Sequence, residues 1–147
     1  MITTGIINSE LLRVMGRMGH GDLLVITDRG FPFPLHTLTK TIDLSVTKGV
    51  PPFIDVVKPI VEYFEIEEAI IADETKTVSP DVHDALCRII AKKKNKGKDI
   101  RIRYIPHNEF KDLVLHGAGR GEPVACFVKT GEFTPYANVI LVSSVPF

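Results

Sequence analysis

Apolar residues fall into short runs and helical spacings along this chain, separated by Gly, Pro, Asn and Asp. Leu11, Val14, Met15 and Met18 recur at the interval of one helix face, behind Asn8 or Ser9 as a cap. Leu23 to Ile26 is a continuous apolar run bounded by turn residues, which predicts a buried strand. Thr41-Ile42-Asp43-Leu44-Ser45 alternates polar and apolar, and Gly49-Val50-Pro51-Pro52 punctuates it. Ile54 to Phe64 predicts a helix that Pro59 either kinks or begins. Ala69 to Ala72 predicts another core strand. Ser79-Pro80-Asp81 predicts a helix start: a cap, a proline at the first position and an acid in the first turn. Val82, Ala85, Leu86, Ile89 and Ile90 supply that helix's apolar face, and Gly97 its end. Ile100 to Ile105 alternates as a half-buried strand, and a short helix over Asn108 to Leu115 follows. Val124 to Val128 and Val139 to Val142 complete the strands. Strands alternating with helices predict a single α/β domain over residues 1–147, three-layered (α/β/α), with a largely parallel or mixed central sheet.

Composition narrows the partners. The 147 residues suffice for one real core, and 44% hydrophobic with 24% charged residues is ordinary for a soluble globular protein. Lys plus Arg balance Asp plus Glu at 18 each, so no global field recruits nucleic acid or anionic lipid. The run Lys92, Lys93, Lys94, Lys96 and Lys98 lacks interleaved aromatics and reads as a solvated helix end. No apolar run approaches the roughly 20 residues that span a bilayer. Met-Ile-Thr-Thr-Gly at the start has neither region of a signal peptide. Cys87 and Cys126 lie far apart and read as buried free thiols, so the expected location is cytoplasmic.

In α/β folds functional groups gather at strand ends. Here those are His20 before the Leu23 strand, Asp28 after it, His107 after Ile105-Pro106, and Tyr136 with Asn138 before the last strand. Lys111 lies four residues beyond His107 on the same helix face. Gly19 and Gly21 let the backbone turn at His20 and let another molecule approach. An imidazole in that setting fits proton transfer near neutral pH; a turn histidine capping the preceding helix fits the same residues. No Ser or Cys sits in a nucleophile elbow, and close metal-ligand spacing is absent, although distant residues can converge. Gly16 to Gly21 follows a helix, and Gly117, Gly119 and Gly121 precede a strand, so neither is a phosphate-binding fingerprint. His36, His83 and His116 have no polar partners of interest nearby in sequence and read as surface or loop residues.

Five landmarks occur in order: Gly19-His20-Gly21-Asp22; Asp28 with Gly30-Phe31-Pro32-Phe33-Pro34; Gly49-Val50-Pro51; Ala69-Ile70-Ile71-Ala72; and Gly131-Glu132-Phe133-Thr134-Pro135-Tyr136-Ala137-Asn138. With them the chain resembles, nearly end to end, the D-ribose pyranase and L-fucose mutarotase family. Gly30, Pro32, Pro34 and Tyr136-Ala137-Asn138 look like the ribose branch, which is favoured; the fucose branch tends to carry His at position 30 and Tyr-Gly-Asn in the triplet. The resemblance implies that His20 is the catalytic acid and that Asp28, His107, Lys111, Tyr136 and Asn138 contact sugar. It implies an isomerase that needs no cofactor and no metal. The implied partner is a monosaccharide, D-ribose favoured, converted between pyranose and furanose in ribose uptake and catabolism. It also implies a ring-shaped homo-oligomer, a pentamer or decamer, with the sugar site between neighbouring subunits. No nucleic acid and no membrane are expected as partners.

Several readings stay open at this level. Asp28 either orients His20 or binds sugar hydroxyls. Tyr136, Asn138 and Lys111 also fit structural roles, and Phe31 and Phe33 fit either an interface or internal packing. Arg29 stands where the family usually has a small residue, altering the site's charge or filling part of the pocket. Thr41 replaces an arginine that commonly precedes the Ile-Asp pair, removing an ion pair or an interface contact. The Gly117–Gly121 stretch looks longer than usual. The alternatives to a pyranase are an L-fucose mutarotase and a non-catalytic sugar-binding accessory of a transport system.

Overall fold

The computed structural model of the chain describes residues 1–117 and 124–147, so most of the Gly117–Gly121 stretch lies outside the described residues. In chain order the elements are α1 (Ser9–Met15), β1 (Leu23–Thr27), β2 (Lys40–Asp43), α2 (Phe53–Tyr63), β3 (Ile66–Ala72), α3 (Asp73–Val78), α4 (Pro80–Ala91), β4 (Lys94–Asn95), β5 (Lys98–Asp99), β6 (Arg101–Ile105), α5 (His107–His116), β7 (Cys126–Lys129) and β8 (Val139–Ser143). Six strands form one sheet in the order β2-β7-β1-β8-β3-β6. Only β8 runs against its neighbours β1 and β3; the other pairs are parallel, giving the mixed sheet that the pattern predicts.

Period-two alternation sends side chains of each strand to opposite faces. Leu24 and Ile26 join Phe53, Val57 and Ile60 of α2, Leu86 and Ile90 of α4, and Leu11 and Val14 of α1. Val25 joins Phe110 and Val114 of α5, together with Phe31, Phe127 and Ile140. Helices therefore cover both faces, and each fully buried Leu, Ile or Phe contributes about 1.5–3 kcal/mol.

Local chemistry shifts several boundaries. Asn8 caps α1, its Oδ1 accepting the Leu11 N–H at 3.0 Å. Helix α2 begins at Phe53 and runs through Pro59, so the proline is not its start. Helix α4 starts at Pro80 as expected, yet Ser79 does not cap it through its side chain; the hydroxyl donates to the Pro135 carbonyl instead. Asp73–Val78 forms an additional helix, α3, directly after β3. Gly97 does not end α4, which closes at Lys92; Lys96 (φ 50°) and Gly97 (φ 77°) make the left-handed two-residue turn of the β4–β5 hairpin. At Gly131 a Cβ would overlap the Val50 carbonyl, so only glycine lets the loop before β8 lie against the start of α2.

Candidate active site

All the parallel strands end at one edge of the sheet, and antiparallel β8 begins there. Asp28 follows β1 at that edge and is 7% exposed. Its backbone N–H donates to Asn138 Oδ1 at 3.0 Å, and Asn138 Nδ2 donates to Asp28 Oδ2 at 3.0 Å. Burial pushes the Asp28 carboxyl above its ordinary value, while hydrogen bonds from Asn138, Gly30 and Phe31 and the nearby His107 pull the other way.

His107 opens α5, where Pro106 offers no capping side chain. Glu74 of α3 supplies the acceptor instead, taking the His107 N–H at 2.8 Å. The imidazole meets Tyr136 edge-on at 4.8 Å between centroids. Burial holds His107 below the ordinary imidazole value and Lys111 adds to this, with Glu74 and Asp28 opposing. Its Nδ1 is buried and has no hydrogen-bond partner among the described residues.

Tyr136 adopts φ 60°, a left-handed conformation that costs a non-glycine residue about 1–2 kcal/mol. Thr75 Oγ1 of α3 donates to its carbonyl at 2.9 Å, as does the Asn138 N–H at 2.9 Å. Glu132 organises the same loop: it accepts the N–H groups of Phe133 and Thr134, the Thr134 hydroxyl, and the Phe53 N–H at the open end of α2. Burial alone would raise the Glu132 carboxyl, but these bonds, those from Thr134 foremost, hold it below its ordinary value.

Between these elements lies a cleft of about 430 Å³, lined by Asp28, Arg29, Phe31, His107, Lys111, Glu132, Tyr136 and Asn138 among others. That volume suits a small ligand. Five of the six residues singled out in the sequence thus converge: Asp28, His107, Lys111, Tyr136 and Asn138.

His20 does not join them. It precedes the start of β1 while Asp28 follows its end, and a five-residue strand alone spans about 17 Å. Asp28 therefore cannot orient His20 within one protomer. Nor does His20 cap α1, which ends at Gly16. The imidazole, 60% exposed, instead places Nε2 at 2.8 Å from Glu67 Oε2.

Arg29 lines the cleft wall, but its guanidinium is drawn toward β2, donating to Asp43 Oδ2 at 2.7 Å and Ser45 Oγ at 3.1 Å. Burial alone would raise the Asp43 carboxyl, but the hydrogen bonds from Arg29 and Ser45 together with the Arg29 charge bring it down to about 2. Thr41 lies two residues before Asp43 and shares its face of β2. Of the two departures from the family pattern, Arg29 binds the Asp43 carboxylate and Thr41 lies on the same strand face. Phe31 packs internally against Phe110 and Phe127, whereas Phe33 is exposed.

Sequence reasoning missed Glu67, Glu74, Thr75, Ser79 and Glu132. Glu132 lies inside the most specific landmark, the one signal available for any of them; the rest act through contacts 33 to 61 residues distant in sequence. His83, expected at the surface or in a loop, lies instead in α4, its Nε2 2.8 Å from the Tyr104 hydroxyl and 3.5 Å from Cys87 Sγ. Cys126 is buried, Cys87 only partly so. No described helix is long and apolar enough to cross a membrane, and among the described residues no three His, Cys, Asp or Glu side chains are grouped to hold a metal ion.

Fold and cleft together define a small α/β protein with a hydrogen-bonding, acid- and base-bearing site at the carboxyl ends of parallel strands. The chain belongs to the RbsD / FucU transport protein family, whose model matches residues 1–146. It is 43% identical over 143 residues to a D-ribose pyranase of Aliivibrio fischeri, covering 97% of this chain and 96% of that protein. A D-ribose pyranase of Pseudothermotoga lettingae is 40% identical over 147 residues, covering 100% and 94%. Bacillus subtilis RbsD, solved in complex with D-ribose, superposes with a TM-score of 0.83 at 35% identity over 100% of both chains. The fucose mutarotase of Streptococcus pneumoniae, solved with L-fucose, shares the fold at a TM-score of 0.69 and 21% identity, over 95% and 94%.

Proposed function

We propose that this protein is a D-ribose pyranase, a cofactor-independent isomerase that opens the pyranose ring and recloses it as the furanose. The observation that carries the reading is the buried Asp28–Asn138 pair facing His107, Lys111 and Tyr136 across one cleft, in a chain about 40% identical to D-ribose pyranases over its length. Carboxylate, amide, imidazole, ammonium and phenol offer both donors and acceptors to the hydroxyls of a monosaccharide.

Ring opening is hemiacetal chemistry. His20 of a neighbouring copy gives a proton to the ring oxygen as the C1–O5 bond breaks and its electron pair stays on that oxygen. Asp28 takes the anomeric hydroxyl proton as C1=O forms. The reverse transfers close the ring: neutral His20 removes the O4 proton as O4 attacks C1, and protonated Asp28 returns its proton to the aldehyde oxygen. Burial, by raising the Asp28 carboxyl, makes it a stronger base for this role. A positioned acid or base contributes roughly 10²–10⁴-fold, which suits a reaction that already proceeds in water.

The second copy is needed because His20 lies at the far end of β1 from the cleft. Exposed Phe33, Val46 and Phe133 lie on the loops of the cleft edge, an apolar surface suited to a neighbour. The assembly is a closed ring, a pentamer or a stacked decamer, working in the cytoplasm in ribose uptake and catabolism. NMR saturation transfer between ribose pyranose and furanose tests the activity. Exchange accelerated by the protein and abolished in His20→Ala supports the reading; binding without acceleration points to an accessory protein, and acceleration confined to fucose to a mutarotase.

A further inference from the structure

We propose that Glu67 is the positioning residue of His20, holding the imidazole through Nε2 so that Nδ1 is the nitrogen that exchanges a proton with the sugar. The inference rests on the role proposed above for His20.

The backbone on either side of His20 is already fixed. Gly21 N–H donates to the Ser143 carbonyl at 2.8 Å, Ser143 N–H to the Asp22 carbonyl at 2.9 Å, and Gly19 N–H to Asp22 Oδ2 at 2.7 Å. These bonds tie the turn to the end of β8, the strand between β1 and β3. What remains free is the imidazole's own torsions, on a side chain that is 60% exposed.

Glu67 removes that freedom. The pairing of β3 with β8 shifts register between Ile66 and Glu68, and an irregularity of this kind re-aims a side chain. Glu68 is buried and bound to Arg101 and Arg103 of β6, while Glu67 turns to His20 with Oε2 at 2.8 Å from Nε2. An ionised carboxylate only accepts, so Nε2 carries its proton whether the ring is neutral or charged. Nδ1 is then the atom that changes protonation: it gives its proton to the ring oxygen on opening and recovers one from O4 on closure. Asp22, the other carboxylate of the turn, has one oxygen engaged by Gly19 N–H.

The test pairs nitrogen-15 NMR of the His20 ring with ribose exchange kinetics in the intact assembly. In wild type the neutral ring is the Nε2–H tautomer; Glu67→Ala gives a tautomer mixture and lowers kcat about tenfold or more, with KM within about twofold. Glu67→Gln keeps an acceptor oxygen and restores both tautomer and most of kcat. Unchanged kcat in Glu67→Ala, or lost activity with the tautomer unaltered, overturns the inference. A fully active His20→Ala variant overturns the role given to His20 itself, a failure visible before any Glu67 variant is made.

Discussion

Asn138 and Asp28 hold each other in both directions, the amide oxygen accepting the Asp28 backbone N–H and the amide nitrogen donating to the Asp28 carboxylate, each at 3.0 Å. The pair joins the end of β1 to the start of β8 and aims one buried carboxylate into the cleft. Because burial raises this carboxyl above its ordinary value, the folded chain binds a proton more tightly than the unfolded one. Stability linked to Asp28 is thus present at low pH and lost as pH rises through its folded-state value. Asp28→Asn should cut kcat/KM by about 10²-fold or more while leaving Tm at pH 7 unchanged or higher. Ribose exchange and a thermal melt on one preparation check both halves.

His107 shifts in the opposite sense for a base. Its folded-state value lies below 6.5, so between the two values the unfolded chain holds more protons. Its contribution to stability is complete above the unfolded value and is lost as pH falls from about 6.5 toward the folded one. An NMR titration of the ring should give a midpoint below 6.5, and Lys111→Met should move it upward by removing a nearby positive charge.

Arg29 supports the loop carrying Asp28 by binding Asp43, the carboxylate near the position where the family's usual arginine is replaced by Thr41. Arg29→Ala should raise KM for ribose with a smaller effect on kcat, and Arg29→Ala combined with Thr41→Arg should recover much of the loss. Failure of the second arginine to rescue would separate the two departures. The Asp43 contribution is fully present above pH 3.8 and is lost as pH falls through about 2, so stability at neutral pH is insensitive to its titration.

Thr75 reaches the cleft through the Tyr136 carbonyl. Thr75→Val removes the donor that steadies a left-handed tyrosine and should cost about 1 kcal/mol of stability. Activity should fall several-fold with the cleft side chains intact, which a denaturation curve and exchange kinetics on the same variant will show.

Much of this was legible in the chain because the fold depends on short-range pattern. The Leu23–Ile26 and Val139–Val142 runs mark the two central strands that present Asp28 and Asn138. What escaped depends on distant partners. Helix α3 is a single polar stretch, Asp73-Glu74-Thr75-Lys76-Thr77-Val78, with no apolar face to announce it, and its Glu74 and Thr75 act on residues 33 and 61 positions away. Ser79 looks like a helix cap in sequence and spends its hydroxyl on Pro135. The length of β1 shows that His20 and Asp28 cannot share a site within one chain, a separation already implicit in the strand that the sequence predicts between them.

The most direct test of a site built from two copies is complementation between inactive variants. His20→Ala and Asp28→Asn are each purified, dissociated, mixed in equal amounts and reassembled, and ribose ring exchange is measured. A shared site predicts that the mixture regains about a quarter of the wild-type rate, the chance that an intact His20 meets an intact Asp28 in a random closed ring. A mixture as inactive as its components would contradict a site shared between subunits.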